Sequence, residues 1–180
     1  SRDPFIEVAG KGIEKLKNAG IEVVIDVLKD ECLQLNKRFF IFHQKKRPFI
    51  ILKWAETLDG YMDLPRGKSE SPHINWITDT KLKALAHKWR SEEMAIMVGS
   101  NTAINDNPKL DVREWSGKNP IRVLLDPELK TPLNSNLFDD STPTLVFTSK
   151  EINESSNTEF IRINNDSDYV EQIIQFLYQR

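Results

Sequence analysis

The sequence predicts an α/β protein with a mostly parallel sheet and helices on both faces. Short apolar, β-prone runs alternate along the chain with segments of helical periodicity, which is the pattern of repeated strand and helix units. The clearest run, residues 95–98, is unbroken apolar sequence typical of a strand covered on both faces. Gly99 ends this run, and small polar residues follow where open α/β sheets bind ligands.

Composition limits the class of protein and its partners. The chain has 180 residues, which suits one ordinary domain. Its 25 basic and 27 acidic residues give a net charge of -2, which argues against nucleic acid or an anionic membrane as a partner. The single cysteine, Cys32, excludes an internal disulfide and a multi-cysteine zinc site, and we expect it to be buried.

Targeting signals are also lacking in the printed sequence. No run approaches the roughly 18 apolar residues of a membrane span, and the first residues lack the basic and apolar layout of a signal peptide. We therefore expect a cytoplasmic protein. The opening serine and the amphipathic pattern at the other end indicate a piece of a longer chain.

The first part of the chain predicts a helix, a strand and a second helix. Residues 5–18 show helical spacing of apolar positions, and an Ala-Gly pair supplies the stop. Residues 21–25 predict a strand, after which Asp26 can cap a helix that runs to about Asn36. Residues 36–47 are polar and basic around four apolar side chains, so we interpret them as an apolar-anchored linker.

The next strand is predicted at residues 48–55, which are apolar and β-prone. Lys53 lies near its end, and the residues leave open whether this side chain reaches to solvent or faces a ligand. Asp59-Gly60 predicts a tight turn. Residues 61–75 have no periodicity and predict a loop.

A helix follows, capped by Thr78 or Asp79 and running to about Arg90. Its predicted buried stripe consists of Leu82, Leu85, Ala86 and Trp89. Arg90 lies on the border of this stripe. It either pairs with a neighbouring carboxylate, Glu92 or Glu93, or holds an anion through its planar guanidinium group.

Beyond Gly99 the chain predicts a short helix that begins near Thr102, then three strands at residues 121–125, 144–147 and 160–163 and a closing helix at residues 168–178. Asp106 is a candidate acceptor for ligand hydroxyl groups. The alternative is that Asp106-Asn107-Pro108 forms an Asx turn that only shapes the backbone.

Several enzyme classes lack their motifs here. There is no Ser/His/Asp triad, no Cys/His pair, no G-x-G-x-x-G and no G-x-x-x-x-G-K-[ST], which argues against hydrolase, kinase and Rossmann interpretations. Hydride transfer needs no such dyad, because the cofactor carries the difficult step. His43, His73 and His87 show no metal-ligand spacing, so we interpret each as exposed or packed.

Five ordered segments carry a resemblance to one known family. They are L-K-W-A-E-T-L-D-G (52–60), W-I-T (76–78), W-R-S-E-E (89–93), V-G-S-N-T-A-I-N-D-N-P-K-L-D-V-R (98–113) and N-P-I-R-V-L-L-D (119–126). The chain resembles the reductase domain of the bifunctional riboflavin-biosynthesis deaminase/reductase (RibD/RibG) family. The resemblance implies a 5-amino-6-(5-phosphoribosylamino)uracil reductase that uses NADPH to convert a ribosyl side chain to a ribityl chain, although the residues themselves do not distinguish NADPH from NADH.

The resemblance also implies roles for individual residues. Positions that match NADPH contacts are Ala55, Trp76, Thr102 and Asp106. Positions that match substrate contacts are Arg90, Leu110 and Arg113, with the arginines serving the phosphate. Lys53 and Asp106 are the candidate catalytic residues, Lys53 to polarise the sugar oxygen or supply a proton. The chain departs from the family at Ile74, where many members carry a substrate-binding serine; the role of this serine falls to Asn75, to Ser71 or to no residue.

The same resemblance implies the domain organisation. Residues 46–180 correspond to the N-terminal part of a dihydrofolate-reductase-like domain, and residues 1–45 to the C-terminal remnant of a cytidine-deaminase-like domain plus linker, without its zinc site. The implied substrate is a phosphorylated aminopyrimidine nucleotide, and the implied assembly is a homodimer. The family's glycine-rich cofactor loop follows the closing helix, so we expect this chain alone to bind nucleotides weakly and turn nothing over.

Two other interpretations stay open. One is a different dihydrofolate-reductase-like pyrimidine reductase. The other is a non-catalytic fragment that self-associates through an exposed sheet edge.

Overall fold

The structure is a computed structural model that describes residues 3–4, 8–64, 74–151 and 157–180. The chain divides into two compact units, one formed by Ser1–Leu52 with Val170–Arg180 and the other by Lys53–Tyr169. The domain boundary predicted near residue 46 stays a prediction. No helix among the described residues is long and apolar enough to cross a membrane.

The second unit contains a four-stranded parallel sheet. Its strands are β1 (Ala95–Gly99), β2 (Ile121–Leu125), β3 (Thr144–Thr148) and β4 (Thr158–Arg162), in the spatial order β1-β2-β3-β4. The register aligns Ala95 with Ile121, Arg122 with Thr144 and Thr144 with Thr158. All four were predicted near these positions, and the α/β class with a parallel sheet is confirmed. Because the strands are parallel, their carboxyl ends share one edge.

The core of this unit lies where β2 and β3 meet the helix after β1. Leu124 and Val146 from the two strands pack with Ala103 from helix α5 (Ser100–Asp106). Leu110 and Leu137 complete this buried cluster, and Leu137 comes from the short 3-10 helix Asn136–Phe138. The burial of these apolar side chains stabilises the sheet and fixes the position of the chain that leaves α5.

A buried arginine on the sheet forms hydrogen bonds with the loop before β3. Arg122 on β2 is 1% exposed, and its guanidinium forms an ion pair with Asp139 at 2.7 Å. The same guanidinium donates to Ser141 Oγ at 3.1 Å and to the carbonyl of Leu137 at 3.4 Å. The hydrogen bond from Arg122 lowers the pKa of Asp139 to about 2. This network joins β2 to the segment before β3.

The first strand differs from its prediction. The run at 95–98 was expected to be covered on both faces, but Ala95, Met97 and Gly99 are exposed. Only β2 pairs with β1 within the described residues. The unbroken apolar run therefore forms an edge strand with one exposed face, because apolar composition alone does not determine whether another element packs on each face.

Two predicted strands are wrong. Residues 21–25 and 48–55 belong to no sheet in the structure. Ile51 and Leu52 in the second segment are exposed. A β-prone segment becomes a strand only when another strand supplies hydrogen-bond partners, and neither segment has such a partner in the described part of the chain.

The remaining N-terminal predictions hold in part. The first helix is α1 (Lys11–Asn18) and the second is α2 (Lys29–Leu35). The N-cap residue of α2 is Leu28, which forms no side-chain capping hydrogen bond. The prediction that Asp26 caps α2 is wrong. The predicted linker is instead a helix, α3 (Lys37–Lys45), with Phe40 buried on its apolar face. Cys32 is half-buried, not buried as expected.

The helix before β1 begins where the sequence predicts. It is α4 (Thr80–Glu92), and the carboxylate of Asp79 accepts the backbone N–H of Leu82 at 2.8 Å. Its buried stripe is partly wrong, because Leu82 and Trp89 are about half exposed and His87 is the buried residue of the helix. The closing helix is α6 (Tyr169–Gln179), with Ile173 buried.

Candidate functional site

Two arginines distant in sequence meet at one aspartate. Arg90, near the end of α4, donates from Nη1 to the backbone carbonyl of Asp111. Arg113 donates from Nη1 to the carboxylate of the same Asp111 at 2.6 Å. Glu92, one of the partners predicted for Arg90, pairs instead with Lys88 at 3.9 Å. Both guanidinium groups are therefore anchored by one of their nitrogen atoms to Asp111.

The loop of residues 110–119, here called the arginine loop, is held at both ends. Leu110 is buried in the core cluster and has a positive φ of 53°. The side-chain oxygen of Asn119 accepts the backbone N–H of Val112 at 2.8 Å, and its amide nitrogen donates to Thr142 at 3.3 Å. Because Val112 lies between Asp111 and Arg113, Asn119 fixes the backbone that carries both site residues.

The arginine loop also lies against the last turns of α4. Gly117 has a φ of 151°, and a Cβ atom there would come within 2.6 Å of the Cβ of Ser91. The ammonium of Lys88 lies 6.0 Å from the ring centroid of Trp115. A glycine is therefore required at this close approach, which brings the arginine loop against the helix that carries Arg90.

Burial affects both the hydrogen bonding and the charge of the arginine pair. The Nε atom of Arg90 is buried and has no hydrogen-bond partner among the described residues. Burial, and then the positive charge of Arg113, lower the pKa of the Arg90 guanidinium. The group keeps its charge because arginine titrates far above neutral pH. Two partly desolvated cations side by side favour an anionic ligand that can share them.

His87 lies beside the same pair. It is three residues before Arg90, on the same face of α4, and is 4% exposed. Its Nε2 atom is 3.9 Å from the carboxylate of Glu114, and its Nδ1 is buried without a partner in the described chain. Burial, followed by the charges of Arg90 and Arg113, lowers the pKa of His87. The prediction of a packed histidine is confirmed for His87. The charged groups around it were not predicted from the sequence.

The helix α5 carries the other polar candidates. Thr102 is exposed and Asp106 is half-buried, and their spacing places them on one face of α5. The side chain of Asn107 accepts the backbone N–H of Asn136 at 2.8 Å, and its carbonyl accepts the side chain of Asn136 at 2.6 Å. Asn107 thus braces a distant segment, beyond the local turn that was the alternative interpretation.

Three predicted ligand residues precede the sheet. Lys53 is exposed and has no hydrogen-bond or ion-pair partner in the part of the chain that the structure describes, and Ala55 is half-buried. Trp76 is exposed, with the ammonium of Lys83 3.4 Å from its ring centroid. Ile74 is exposed and Asn75 half-buried, whereas Ser71 and His73 lie outside the described residues. Arg90 and Arg113 meet at Asp111, which directly follows Leu110 in the chain, and the contacts among the described residues do not link Lys53 or Trp76 to them.

Four residues of the site were missed from the sequence. Asp111, Glu114, Asn119 and His87 hold or border the arginine pair. Asn119 opens the N-P-I-R-V-L-L-D segment, and His87 stands one helical turn before Arg90, so both carried a positional signal. Among the described residues, no group of three or more His, Cys, Asp or Glu side chains has an arrangement that could hold a metal ion.

Fold and site together define a parallel α/β domain with a paired-arginine site suited to an anionic ligand. Comparison with known proteins gives the family. A model of the RibD C-terminal domain matches residues 48–179, and the chain belongs to that family. It is 44% identical over 151 residues to the riboflavin biosynthesis protein RibD of Aquifex aeolicus, covering 83% of this chain and 41% of that protein. It is 35% identical to RibD of Synechocystis, covering 99% of this chain and 49% of the relative.

Solved structures agree with this assignment. A Thermotoga maritima protein described as a diaminohydroxyphosphoribosylaminopyrimidine deaminase/5-amino-6-(5-phosphoribosylamino)uracil reductase is 39% identical, with a TM-score of 0.79 over 97% of this chain and 48% of that chain. Acinetobacter baumannii RibD is 30% identical, with a TM-score of 0.74 over 99% of this chain and 49% of that chain. The chain thus spans about half the length of the relatives it matches.

Proposed function

We propose that this chain contributes to the reduction of 5-amino-6-(5-phosphoribosylamino)uracil, in which the ribosyl side chain becomes a ribityl chain at the expense of NADPH. Family membership and the reductase activity named for the Thermotoga maritima relative support the reaction class. The observation that carries the proposal is the meeting of Arg90 and Arg113 at Asp111. This arrangement suits the phosphate group of the proposed substrate.

The arginine pair is assigned to the substrate phosphate. Planar guanidinium groups bind phosphate oxygens through paired charge-assisted hydrogen bonds. Each arginine uses one nitrogen for Asp111, which orients the group and leaves further N–H donors for a ligand. Leu110 lies one residue before Asp111 and is buried in the core, so it anchors the loop that presents Arg113.

The cofactor is assigned to the region of α5. Bound NADPH would supply the hydride, which is the chemically demanding part of the reaction. The hydroxyl of Thr102 and the carboxylate of Asp106 share one face of α5 and fit the hydroxyl and amide groups of a nucleotide. Ala55 and the exposed face of Trp76 are assigned as further contacts. These groups bind and orient, which is what hydride transfer asks of a protein.

Lys53 is assigned to the sugar oxygen. Its ammonium group would polarise this oxygen or donate the proton that balances the incoming hydride. Asp106, the second candidate catalytic residue, would orient a hydroxyl group close to the reacting carbon. The assignment of Lys53 requires its side chain to approach the ligand. The exposure of Lys53 leaves its ammonium available for that role.

Selective loss of phosphate recognition tests the proposal. Binding of the phosphorylated substrate and of its dephosphorylated form would be measured by calorimetry for the unaltered chain and for Arg113→Ala. We expect the phosphorylated ligand to bind about 10- to 100-fold more weakly to the variant, the range typical of a lost charge-assisted hydrogen bond. The dephosphorylated ligand should bind equally to both proteins.

A matched control separates this effect from net charge. Arg162 is an exposed arginine paired with Glu151 at 2.7 Å, away from the arginine loop. Arg162→Ala removes the same charge and should leave the ratio of the two affinities unchanged. If the ratio of the affinities for the phosphorylated and dephosphorylated ligands is the same in the unaltered chain and in Arg113→Ala, Arg113 does not bind the phosphate.

A second function is favoured by the open edge of the sheet. β1 has β2 as its only strand neighbour in the described residues, and Met94 and Met97 beside that edge are exposed. Unpaired strand edges pair readily with a second copy. Sedimentation with and without NADPH distinguishes the two functions. Dimers that ignore the cofactor would favour an interaction fragment, whereas an assembly that responds to NADPH favours the reductase.

A further inference from the structure

One carboxylate oxygen lies between a histidine and an arginine of the site. Oε1 of Glu114 is 3.9 Å from Nε2 of His87 and 4.0 Å from Nε of Arg113. Neither distance is a hydrogen bond, so Glu114 is shared between the two groups without a close bond to either. The side chain of Glu114 is about two-fifths exposed and can change its rotamer, whereas the side chain of His87 is buried.

The charges that face His87 come from its own helix and from the arginine loop. Arg90 lies one turn along α4, and Arg113, Glu114 and Asp111 face it from the loop. The two cations and the burial disfavour a charged imidazole, and the two carboxylates oppose them. Burial and the two arginine charges outweigh the two carboxylates, so the pKa of His87 is lowered and the neutral imidazole is favoured in the ligand-free protein.

We propose that His87 is a positioning residue that takes up a proton when a dianion binds at Arg90 and Arg113, with Glu114 as the link between them. The proposal rests on the assignment of a phosphate group to the arginine pair and extends it.

Anion binding changes the balance of charge around His87. A bound dianion competes with Glu114 for the guanidinium of Arg113 and adds two negative charges beside the imidazole. Among the described residues, the imidazole of His87 lies 3.9 Å from this carboxylate, and in its protonated form it becomes a cationic partner for the displaced group. The proton comes from solvent, and the resulting imidazolium and Glu114 form a close ion pair. Anion binding is therefore predicted to strengthen as the pH falls toward the range in which histidine titrates.

Sulfate is the probe, because it keeps two negative charges throughout this range and cannot itself take up a proton. Its binding would be measured by calorimetry at about pH 6.5, where imidazole groups titrate, in two buffers with different enthalpies of ionisation. The difference in observed heat gives the protons taken up by the protein. We expect a net uptake of protons, less than about one for each sulfate bound, by the unaltered chain.

Two variants decide the assignment. His87→Gln and Glu114→Gln should still bind sulfate but should lose the proton uptake. His43→Gln, which changes a histidine on α3, should retain it. If His87→Gln fails to fold, Glu114→Gln still decides, because the side chain of Glu114 is exposed and tolerates this near-isosteric change.

The outcomes separate this inference from the proposed function. Sulfate binding without proton uptake in the unaltered chain, or uptake that persists in Glu114→Gln, overturns the role of His87 and leaves the phosphate site standing. Absence of any sulfate binding that depends on Arg113 overturns both.

Discussion

Asp111 limits how strongly the arginine pair attracts an anion. Its carbonyl holds Arg90, and its carboxylate competes with any ligand for Arg113. An Asp111→Asn change keeps the carbonyl and an acceptor oxygen but removes the negative charge. We expect sulfate and phosphorylated ligands to bind about 3- to 10-fold more tightly, since one partly exposed charge contributes on the order of 1 kcal/mol.

Calorimetric titration at constant ionic strength measures this change. Asp166→Asn, in an exposed turn remote in sequence from the arginine loop, is the matched control and should leave the affinity unaltered. Weaker binding to Asp111→Asn would show that Asp111 acts mainly to orient Arg113, contrary to this account.

Asp139 and Arg122 set a pH dependence of stability. Asp139 has a pKa of about 2 in the folded chain, below the ordinary value of 3.8. A carboxyl group with a lowered pKa stabilises the fold above its unfolded value, and this stabilisation is lost as the pH falls through the folded value. We therefore expect the contribution of this ion pair to be intact at neutral pH and to disappear between about pH 4 and pH 2.

The variant Asp139→Asn tests that window through urea unfolding. At neutral pH it should lower the free energy of unfolding by about 1 to 2 kcal/mol, a range reduced because Asp139 is partly exposed. The deficit should shrink as the pH approaches 2. Glu128→Gln breaks an exposed pair with Lys150 at 3.0 Å and should have little effect. A deficit that is constant with pH would contradict the role of the Asp139 charge.

At the scale of elements, the contact between α4 and the arginine loop depends on one glycine. Gly117→Ala would place a Cβ atom against Ser91 and force a side chain onto a φ of 151°. We expect a loss of about 1 to 3 kcal/mol in the free energy of unfolding, the usual cost of such strain. The same change should weaken sulfate binding, because Arg113 moves away from Arg90.

Gly12→Ala in α1 is the matched control. No atom lies within 4 Å of a Cβ built at Gly12. Since alanine favours helix more than glycine does, this variant should be unchanged or more stable by less than about 1 kcal/mol. Equal stabilities for both variants by thermal or urea unfolding would show that the loop does not depend on this close approach.

Secondary structure was predictable where a local pattern decides it. The carboxylate cap at Asp79 and the apolar runs of β2 and β3 carry their own signals, and each element appears near its predicted position. The segments 21–25 and 48–55 have strand-like residues but no strand partner in the described chain. Pairing depends on residues far away in sequence, so local propensity misjudges such segments.

At the scale of the whole molecule, the fold class followed from the alternation of strands and helices, and the parallel sheet confirms it. The site was only partly predictable. Arg90 and Arg113 were named through family resemblance, but Asp111, Glu114 and Asn119, which hold or border them, needed the tertiary structure. These contacts span long sequence separations, and no spacing rule connects an arginine with the carbonyl that orients it.

The account depends most on Arg90 and Arg113 acting on one anion. A double-mutant cycle tests this directly, with ribose 5-phosphate binding measured by calorimetry for Arg90→Gln, Arg113→Gln and the double variant, and with circular dichroism to check that each variant is folded. The account predicts that each single change weakens binding about 10-fold or more and that the double variant loses clearly less than the sum of the two. Purely additive losses, or single variants that bind as the unaltered chain does, would contradict it.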